Sequence, residues 1–255
     1  MAASLGIVVP AFDPDVERLT TYVSELDERF PDAQIHIELD APGAGIVEAL
    51  TDLPASINAV PYRRGKGAAV TAGFERLDTA VLSFVDADGS TPVDSLAAVL
   101  EPVLSGRAAL AVGSRRHPQA DVESHQTFAR RFLGDGFAWL AGKLLTVSLS
   151  DYQCGAKAIT RAGWEQIREH LYEPGFAWDI ELIAMAGAFD LRVEEVPIRW
   201  EDQPNSSVAP IRTTIRMGRT LLAVRHRAKR LADDSLHQAI ADRRGAPTAL
   251  VDRDE

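Results

Sequence analysis

Short apolar runs rich in β-branched residues alternate with longer helical stretches through the first half of the chain. The runs fall at Leu5–Pro10, Ile35–Leu39, Ser56–Val60, Ala80–Val85 and Ala108–Gly113. Between them the spacing predicts helices over Asp15–Arg29, Lys66–Leu77 and Val93–Leu104, the last opened by Thr91 as N-cap and Pro92 at the first helical position. Strands alternating with helices predict an α/β fold, with a mostly parallel central sheet and flanking helices. After Gly113 the pattern changes. A long helical segment runs from about Thr127 to Thr146, followed by a short strand over Cys154–Thr160 and helices near Gly163–Leu171 and Ile180–Ala188. A strand pair within Leu191–Trp200 precedes a basic helix over Ile211–Leu231. Residues 232–255 carry many charges together with Gly245 and Pro247 and read as a flexible tail. One domain through residue 231 is expected.

Composition supports that organisation and removes several classes of function. A chain of 255 residues with 46% hydrophobic and 25% charged positions can bury one sizeable core. Its formal net charge is −10, and only Lys66, Lys143, Lys157 and Lys229 are lysines among 27 Lys plus Arg. This acidic, lysine-poor usage resembles that of proteins from salt-loving archaea. Nucleic-acid binding needs a basic footprint and is not expected. No apolar run approaches the ~20 residues that cross a bilayer, and the amino terminus lacks a signal-peptide pattern. The expectation is a protein that lies on a membrane surface without spanning it. The single cysteine, Cys154, allows no intramolecular disulfide and fits a reducing compartment. It lies in an apolar strand and reads as a packed thiol.

The chemistry-bearing residues gather after strands. Val81-Leu82-Ser83-Phe84-Val85 ends abruptly in Asp86-Ala87-Asp88-Gly89-Ser90. Ligands of open α/β sheets collect at the carboxyl ends of strands. Two carboxylates one residue apart repel unless a cation lies between them, and hard oxygen ligands suit Mg²⁺ or Mn²⁺ bridging a diphosphate. A solvated Asp-Gly turn is the alternative. Arg63-Arg64-Gly65-Lys66-Gly67 places glycines and a cation at a helix start, which suits an anion or an ordinary turn, and lacks the Walker spacing. Gly113-Ser114-Arg115-Arg116 and Arg130-Arg131 offer guanidinium groups for phosphate, or simply a solvated helix face. His36, His117 and His125 have no ligand-like spacing. Asp179, on pattern alone, caps the helix that follows it.

In this order the pieces resemble glycosyltransferase family 2 enzymes of the GT-A fold, particularly dolichyl-phosphate glucose and dolichyl-phosphate mannose synthases. The resemblance runs from about Ile7 to Arg230. Val8-Val9-Pro10-Ala11-Phe12 is similar to the family's opening strand, Gly65-Lys66-Gly67-Ala68-Ala69-Val70 to its GKGAAV element, and Asp86-Ala87-Asp88 with Ser90-Thr91-Pro92 to its metal-binding DxD region. Gly113-Ser114-Arg115, Asp151-Tyr152-Gln153-Cys154-Gly155-Ala156-Lys157, Phe176-Ala177-Trp178-Asp179-Ile180-Glu181 and Val196-Pro197-Ile198-Arg199-Trp200 resemble later family stretches. Glu38-Leu39-Asp40-Ala41-Pro42-Gly43 stands where relatives carry a DDGS-type sequence, and Ser206-Ser207-Val208 where they carry Ser-Lys-Val. Ser90 resembles the glucosyl-type arrangement.

The resemblance implies an inverting transfer of glucose or mannose from a nucleotide-diphosphate sugar to a polyprenyl (dolichyl-type) phosphate. Residues 1–114 would form the nucleotide-sugar half and 115–231 the acceptor half. Asp86 and Asp88 would hold Mg²⁺ or Mn²⁺ on the donor diphosphate, with Ala87 and Ser90 in the same loop. Asp40 would lie at the base or ribose, Pro10 and Phe12 would line the base pocket, and Lys66 would sit nearby. Arg115, Arg130 and Arg131 would hold the acceptor phosphate, and Asp179 would join the active site. Two other readings stay open: a transferase whose acceptor is a hydroxyl, with Asp179 or Glu181 as base, and a non-catalytic nucleotide-sugar-binding homologue. A peripheral position on the cytoplasmic face of the membrane is expected. Phe128, Phe132, Leu133, Phe137, Trp139, Leu140, Leu144 and Leu145 supply interfacial apolar surface, and Arg212, Arg216, Arg219, Arg225, Arg227, Lys229 and Arg230 supply charge.

Overall fold

The computed structural model describes residues 3–123, 136, 139–201, 210–231 and 248–253, without side chains for Glu123 and residues 210–219. The strands are β1 (Leu5–Phe12), β2 (Gln34–Asp40), β3 (Ser56–Val60), β4 (Val81–Val85), β5 (Leu110–Ser114), β6 (Asp121–Glu123), β7 (Ala156–Thr160), β8 (Val193–Pro197) and β9 (Arg199–Glu201). The helices are α1 (Val16–Arg29), α2 (Ile46–Leu50), α3 (Lys66–Arg76), α4 (Val93–Leu104), α5 (Arg161–Ile167), α6 (Trp178–Ala188) and α7 (Pro210–Leu231). A seven-stranded sheet runs β3-β2-β1-β4-β7-β5-β8, and β6 pairs with β9 in a small second sheet. Every pairing in the large sheet is parallel except those of β7, which runs antiparallel to both β4 and β5.

The pleat explains why the central strands are apolar on both faces. In β1, Val8 enters one core while Ile7 and Val9 enter the other, and in β4 Phe84 and Val85 divide the same way. The first core is completed by α3, α5, α6 and α7 around Trp164 and Trp178, and the second by α1 and α4. Phe74 packs edge-on against Trp164 at 5.0 Å between ring centroids, and Phe84 against Trp178 at 5.6 Å.

Three expectations need correction. Thr91 does not cap α4; Pro92 is the N-cap, and the buried Thr91 uses its carbonyl to accept the Tyr22 hydroxyl at 2.5 Å. The strands between Leu191 and Trp200 do not pair with each other: β8 extends the large sheet beside β5, and β9 leaves it to join β6. Of the expected tail, residues 248–253 are docked rather than loose. Leu250 is buried in the first core, its N–H donates to the Leu171 carbonyl at 2.8 Å, and Arg253 Nη2 donates to the Tyr172 carbonyl at 2.9 Å. In the long segment predicted over 127–146, residues 139–144 are helical and the chain bends at 145–147. The rest of that prediction, apart from residue 136, lies outside the described residues.

Candidate active site

Because β1, β2, β4 and β5 are parallel, their carboxyl ends share one edge, which collects Phe12, Asp40, Asp86 and Arg115. The reversed β7 brings its beginning to the same edge. The Asp86 N–H donates to the Gly155 carbonyl at 2.9 Å, so Cys154 and Gly155 border the carboxylate pair. Gly155 has no alternative: a Cβ there would overlap the Asp86 carboxylate. Two residues on, Asp88 Oδ1 accepts the Ser90 N–H at 2.9 Å, which shapes the turn below the buried Ser90. Ala87 packs against the second core.

From Asp86 a line of alternating charges runs inward. Lys66, the first residue of α3, lies 2.8 Å from Asp86 Oδ1 and 3.3 Å from Asp179 Oδ2. Lys157, in the centre of the sheet and 1% exposed, donates to Asp179 Oδ1 at 2.6 Å and to the Cys154 carbonyl at 2.8 Å. Burial would lower the Lys66 ammonium, but Asp179 and Asp86 raise it, which keeps it charged. Burial raises the Asp86 carboxyl; Lys66 opposes that rise, while repulsion from Asp88 and Asp179 adds to it. Asp179 is not the helix cap its position suggests: the N-cap of α6 is Ala177, and the Asp179 side chain turns inward to the two lysines.

The Gly65-Lys66 turn is held from three sides. Arg64 Nε donates to Asp40 Oδ1 at 2.8 Å, and the Gly65 N–H donates to Asp40 Oδ2 at 2.8 Å. Gly65 has φ +100, a value that favours glycine, and the Ala68 N–H donates to the Pro174 carbonyl at 3.1 Å. Asp40, expected at the base or ribose, is therefore buried with each oxygen accepting from the chain itself. Arg64 also donates through Nη2 to Glu38 at 2.6 Å. Phe12 is exposed at the edge, with the Arg63 guanidinium 4.0 Å above its ring, and Pro10 is part-buried two residues before it.

On the other side of Asp86, Arg115 makes a fork-to-fork pair with Asp151, Nε to Oδ2 at 2.7 Å and Nη2 to Oδ1 at 3.1 Å. It also lies over the Trp200 ring at 5.6 Å. Burial alone would raise the Asp151 carboxyl, but Arg115 brings it well below the usual carboxylate range. Glu195 Oε1 steadies the loop by accepting the Ser150 and Asp151 N–H groups at 2.8 and 3.0 Å. Cys154 is packed, as expected, and burial pushes its thiol up to about 12. Glu181 is fully buried: Oε2 accepts the Tyr172 and Glu173 N–H groups at 2.7 and 2.8 Å, and Oε1 pairs with Arg227 of α7. Arg130 and Arg131 lie outside the described residues.

Sequence reasoning missed Lys157 and Asp151 as site residues. The signal for Lys157 was present: one lysine inside Cys154-Gly155-Ala156-Lys157-Ala158-Ile159, a run that otherwise reads as a core strand, has to find a buried anion.

Among the described residues no three His, Cys, Asp or Glu side chains group so as to hold a metal by themselves. The donor set still fits Mg²⁺ or Mn²⁺. These ions are commonly held by one or two carboxylates plus substrate phosphate and water. The mutual repulsion of Asp86 and Asp88 is what a cation between them would relieve.

Solved structures share this fold. Mannosyl-3-phosphoglycerate synthase from Rubrobacter xylanophilus superposes with a TM-score of 0.62 over 96% of this chain and 77% of that one, at 17% identity. Glucosyl-3-phosphoglycerate synthase from Mycobacterium tuberculosis, crystallised with Mn²⁺, uridine diphosphate and phosphoglyceric acid, gives 0.62 over 88% and 78%, at 18% identity. Residues 7–154 match the family model described as glycosyl transferase family 2, and the chain belongs to that family. Dolichyl-phosphate beta-glucosyltransferase of Drosophila melanogaster is 32% identical over 166 residues, 63% of this chain and 51% of that protein. Glycosyltransferase AglD of Haloferax volcanii is 31% identical over 160 residues, 63% of this chain and 25% of that protein. The chain thus spans about half the length of the Drosophila relative.

Proposed function

We propose that this chain transfers glucose or mannose from a nucleotide-diphosphate sugar to a polyprenyl phosphate of the dolichyl kind, with inversion at the sugar carbon. The observation that carries the reading is the state of two buried carboxylates on α6, Asp179 and Glu181. Asp179 has a lysine on each oxygen, and Glu181 is taken by two backbone N–H groups and Arg227. A hydroxyl acceptor needs a base to take its proton, and neither carboxylate is available for that work. A phosphate monoester is already ionised near pH 7, with a second pKa of about 6, and needs none. The Drosophila relative and its human counterpart, 30% identical over 169 residues, are both dolichyl-phosphate beta-glucosyltransferases, which supports the same acceptor class.

The residues then divide the work. Asp86 and Asp88 would hold Mg²⁺ or Mn²⁺, which would supply positive charge against the donor diphosphate as it leaves. Lys66 sets a second positive charge beside Asp86. Phe12 and Pro10 receive the nucleobase, while Asp40 supports that pocket through the turn at Arg64 and Gly65. Arg115, oriented by Asp151, faces the acceptor phosphate, assisted by Arg130 and Arg131 on the family pattern. An acceptor oxygen forms the new bond to the anomeric carbon as the bond to the diphosphate breaks, so positioning and charge placement supply the acceleration. Among the described residues no helix is long and apolar enough to cross a membrane. Exposed Trp139, 66% accessible, and Leu140 support a peripheral position on a membrane surface, where the lipid acceptor would be met.

The test is an assay of the protein with Mn²⁺ or Mg²⁺, a panel of radiolabelled nucleotide sugars, and polyprenyl phosphate as acceptor. The expected product is a lipid-extractable sugar phosphate cleaved by mild acid. An acid-stable product, or transfer only to lipid-linked glycans, would point to a hydroxyl acceptor instead. Nucleotide-sugar binding without transfer would mark a non-catalytic homologue.

A further inference from the structure

Lys157 is a buried cation that the transfer chemistry itself does not use. It sits on β7 with 1% of its side chain exposed, in the middle of a sheet whose neighbours in the same strand, Ala156, Ala158 and Ile159, are core residues. Placing an ammonium there is unfavourable unless it is paired and hydrogen-bonded. Its two partners are Asp179 Oδ1 at 2.6 Å and the Cys154 carbonyl at 2.8 Å. Asp179 does not end the line, because its other oxygen lies 3.3 Å from Lys66, which lies 2.8 Å from Asp86. The order Lys157, Asp179, Lys66, Asp86 alternates in sign from the sheet interior to the mouth of the site.

We propose that Lys157 is a positioning residue for the donor site: by holding one oxygen of Asp179, it leaves Lys66 shared between Asp179 and Asp86 instead of drawn wholly onto Asp179. This rests on the reading of Asp86 and Asp88 as the cation and diphosphate end of the site. The geometry gives Lys157 two effects at a distance. It fixes how much of the positive charge of Lys66 falls on Asp86, and it keeps the Lys66 ammonium forward, where a diphosphate can meet it. The Cys154 carbonyl bond anchors Lys157 next to Gly155, whose own carbonyl accepts the Asp86 N–H, so both ends of the line are tied to the start of β7.

The consequence has a sign that packing alone would not produce. Removing the Lys157 charge leaves Lys66, among the described residues, as the only cation paired with buried Asp179. Lys66 then moves toward Asp179, and Asp86 gains negative charge. Metal binding without nucleotide should strengthen, whereas nucleoside-diphosphate binding, which needs Lys66 forward, should weaken. Removing the Asp179 charge does the reverse, because Lys66 then belongs to Asp86 alone.

The experiment measures Mn²⁺ binding by electron paramagnetic resonance and nucleoside-diphosphate binding by calorimetry in wild type, Lys157→Met, Asp179→Asn and the double variant. Asp88→Ala serves as the control for the metal site, and circular dichroism checks folding. Outer partners of metal ligands commonly change metal affinity by about tenfold or more. Lys157→Met should bind Mn²⁺ about that much more tightly and the nucleoside diphosphate more weakly. Asp179→Asn and the double variant should both bind Mn²⁺ more weakly than wild type. If wild type binds no Mn²⁺, or Asp88→Ala binds it normally, the reading of the carboxylate pair fails. If that pair behaves as expected but Lys157→Met leaves both affinities unchanged or lowers both, the positioning role is overturned. Should Lys157→Met not fold, Lys157→Gln takes its place: tighter Mn²⁺ binding with weaker nucleoside-diphosphate binding upholds the proposal, and any other result overturns it.

Discussion

At the scale of single residues the sharpest constraint falls on Gly155, since the carboxylate of Asp86 fills the space a Cβ would need. Gly155→Ala should leave the fold intact, because the strand begins only at Ala156, yet should push Asp86 off its place beside Lys66. Transfer should fall about a hundredfold or more, comparable to Asp86→Ala or Asp88→Ala. Near-normal turnover with a saturating divalent cation would remove Asp86 from the site. Asp151 and Glu38 make a second residue-scale prediction. Burial would raise the Glu38 carboxyl, but His36, Asn58 and Arg64 lower it, as Arg115 lowers Asp151. Each folded value lies below the unfolded one, so each group adds stability that is fully present above the ordinary carboxylate values of about 4 and is lost as pH falls through the folded value. Asp151→Asn should cost about 3 kcal/mol at neutral pH, because it strands Arg115, and should flatten the acid limb of the stability curve. Urea midpoints measured from pH 7 down to pH 3 would check both, and an unchanged acid limb would deny Asp151 its part.

Elements were legible in proportion to how local their causes are. The β1 to β5 runs and helices α1, α3 and α4 fell within two residues of the observed ends, because apolar runs and helical periodicity are written into adjacent positions. The direction of β7 was not, since a strand reads the same either way and only its neighbours β4 and β5 fix its sense. The separation of β8 from β9 was hidden for the same reason: Ile198 lies between them, and the partners that divide them, β5 and β6, come from far upstream. Residues 248–253 belong here as well. Charge and a Pro-Gly pattern nearby suggested a loose end, while two apolar residues, Ala249 and Leu250, suffice to dock it against the loop at Leu171 and Tyr172. Leu250→Ala should therefore lower stability by about 2 kcal/mol, read as a shift in thermal midpoint. No shift would mean that the segment is not docked in solution.

For the molecule as a whole, the proposed lipid acceptor makes contact with a membrane surface the property to test. Helix α7 does not serve a membrane with every basic residue, for Arg227 turns inward to Glu181, and Leu221 and Val224 are buried in the first core. Leu222 on the same helix is 59% exposed, and Trp139 and Leu140 are exposed on the segment near 139–144. Ending the chain before α7 would strip the core, so the anchor is better tested by substitution. The intact protein should float with anionic liposomes at low salt and less at high salt. Trp139→Ser with Leu140→Ser should weaken flotation at both salts, and Arg212→Gln, Arg216→Gln and Arg219→Gln together should weaken it mainly at low salt. Protein unbound at both salts would end the interfacial reading.

The sequence by itself determined the class of fold and the places where chemistry begins. Strand-ending carboxylates at Asp86 and Asp88, the glycine turn before α3 and the arginine after β5 are local features, and a local reading finds them. What tertiary structure decided is which charge answers which. The family resemblance could assign Asp40, the last residue of β2, to a ligand, whereas only the fold shows that its oxygens accept from Arg64 and Gly65. Asp179 could pass for a helix cap until α6 is packed over β7 and meets Lys157 and Lys66. The physical reason is the range of the forces involved. Burying an apolar stripe depends on residues three or four apart, whereas a buried charge is tolerable only beside its counter-charge, and here those partners are brought together from β7, α3 and α6 by the fold alone.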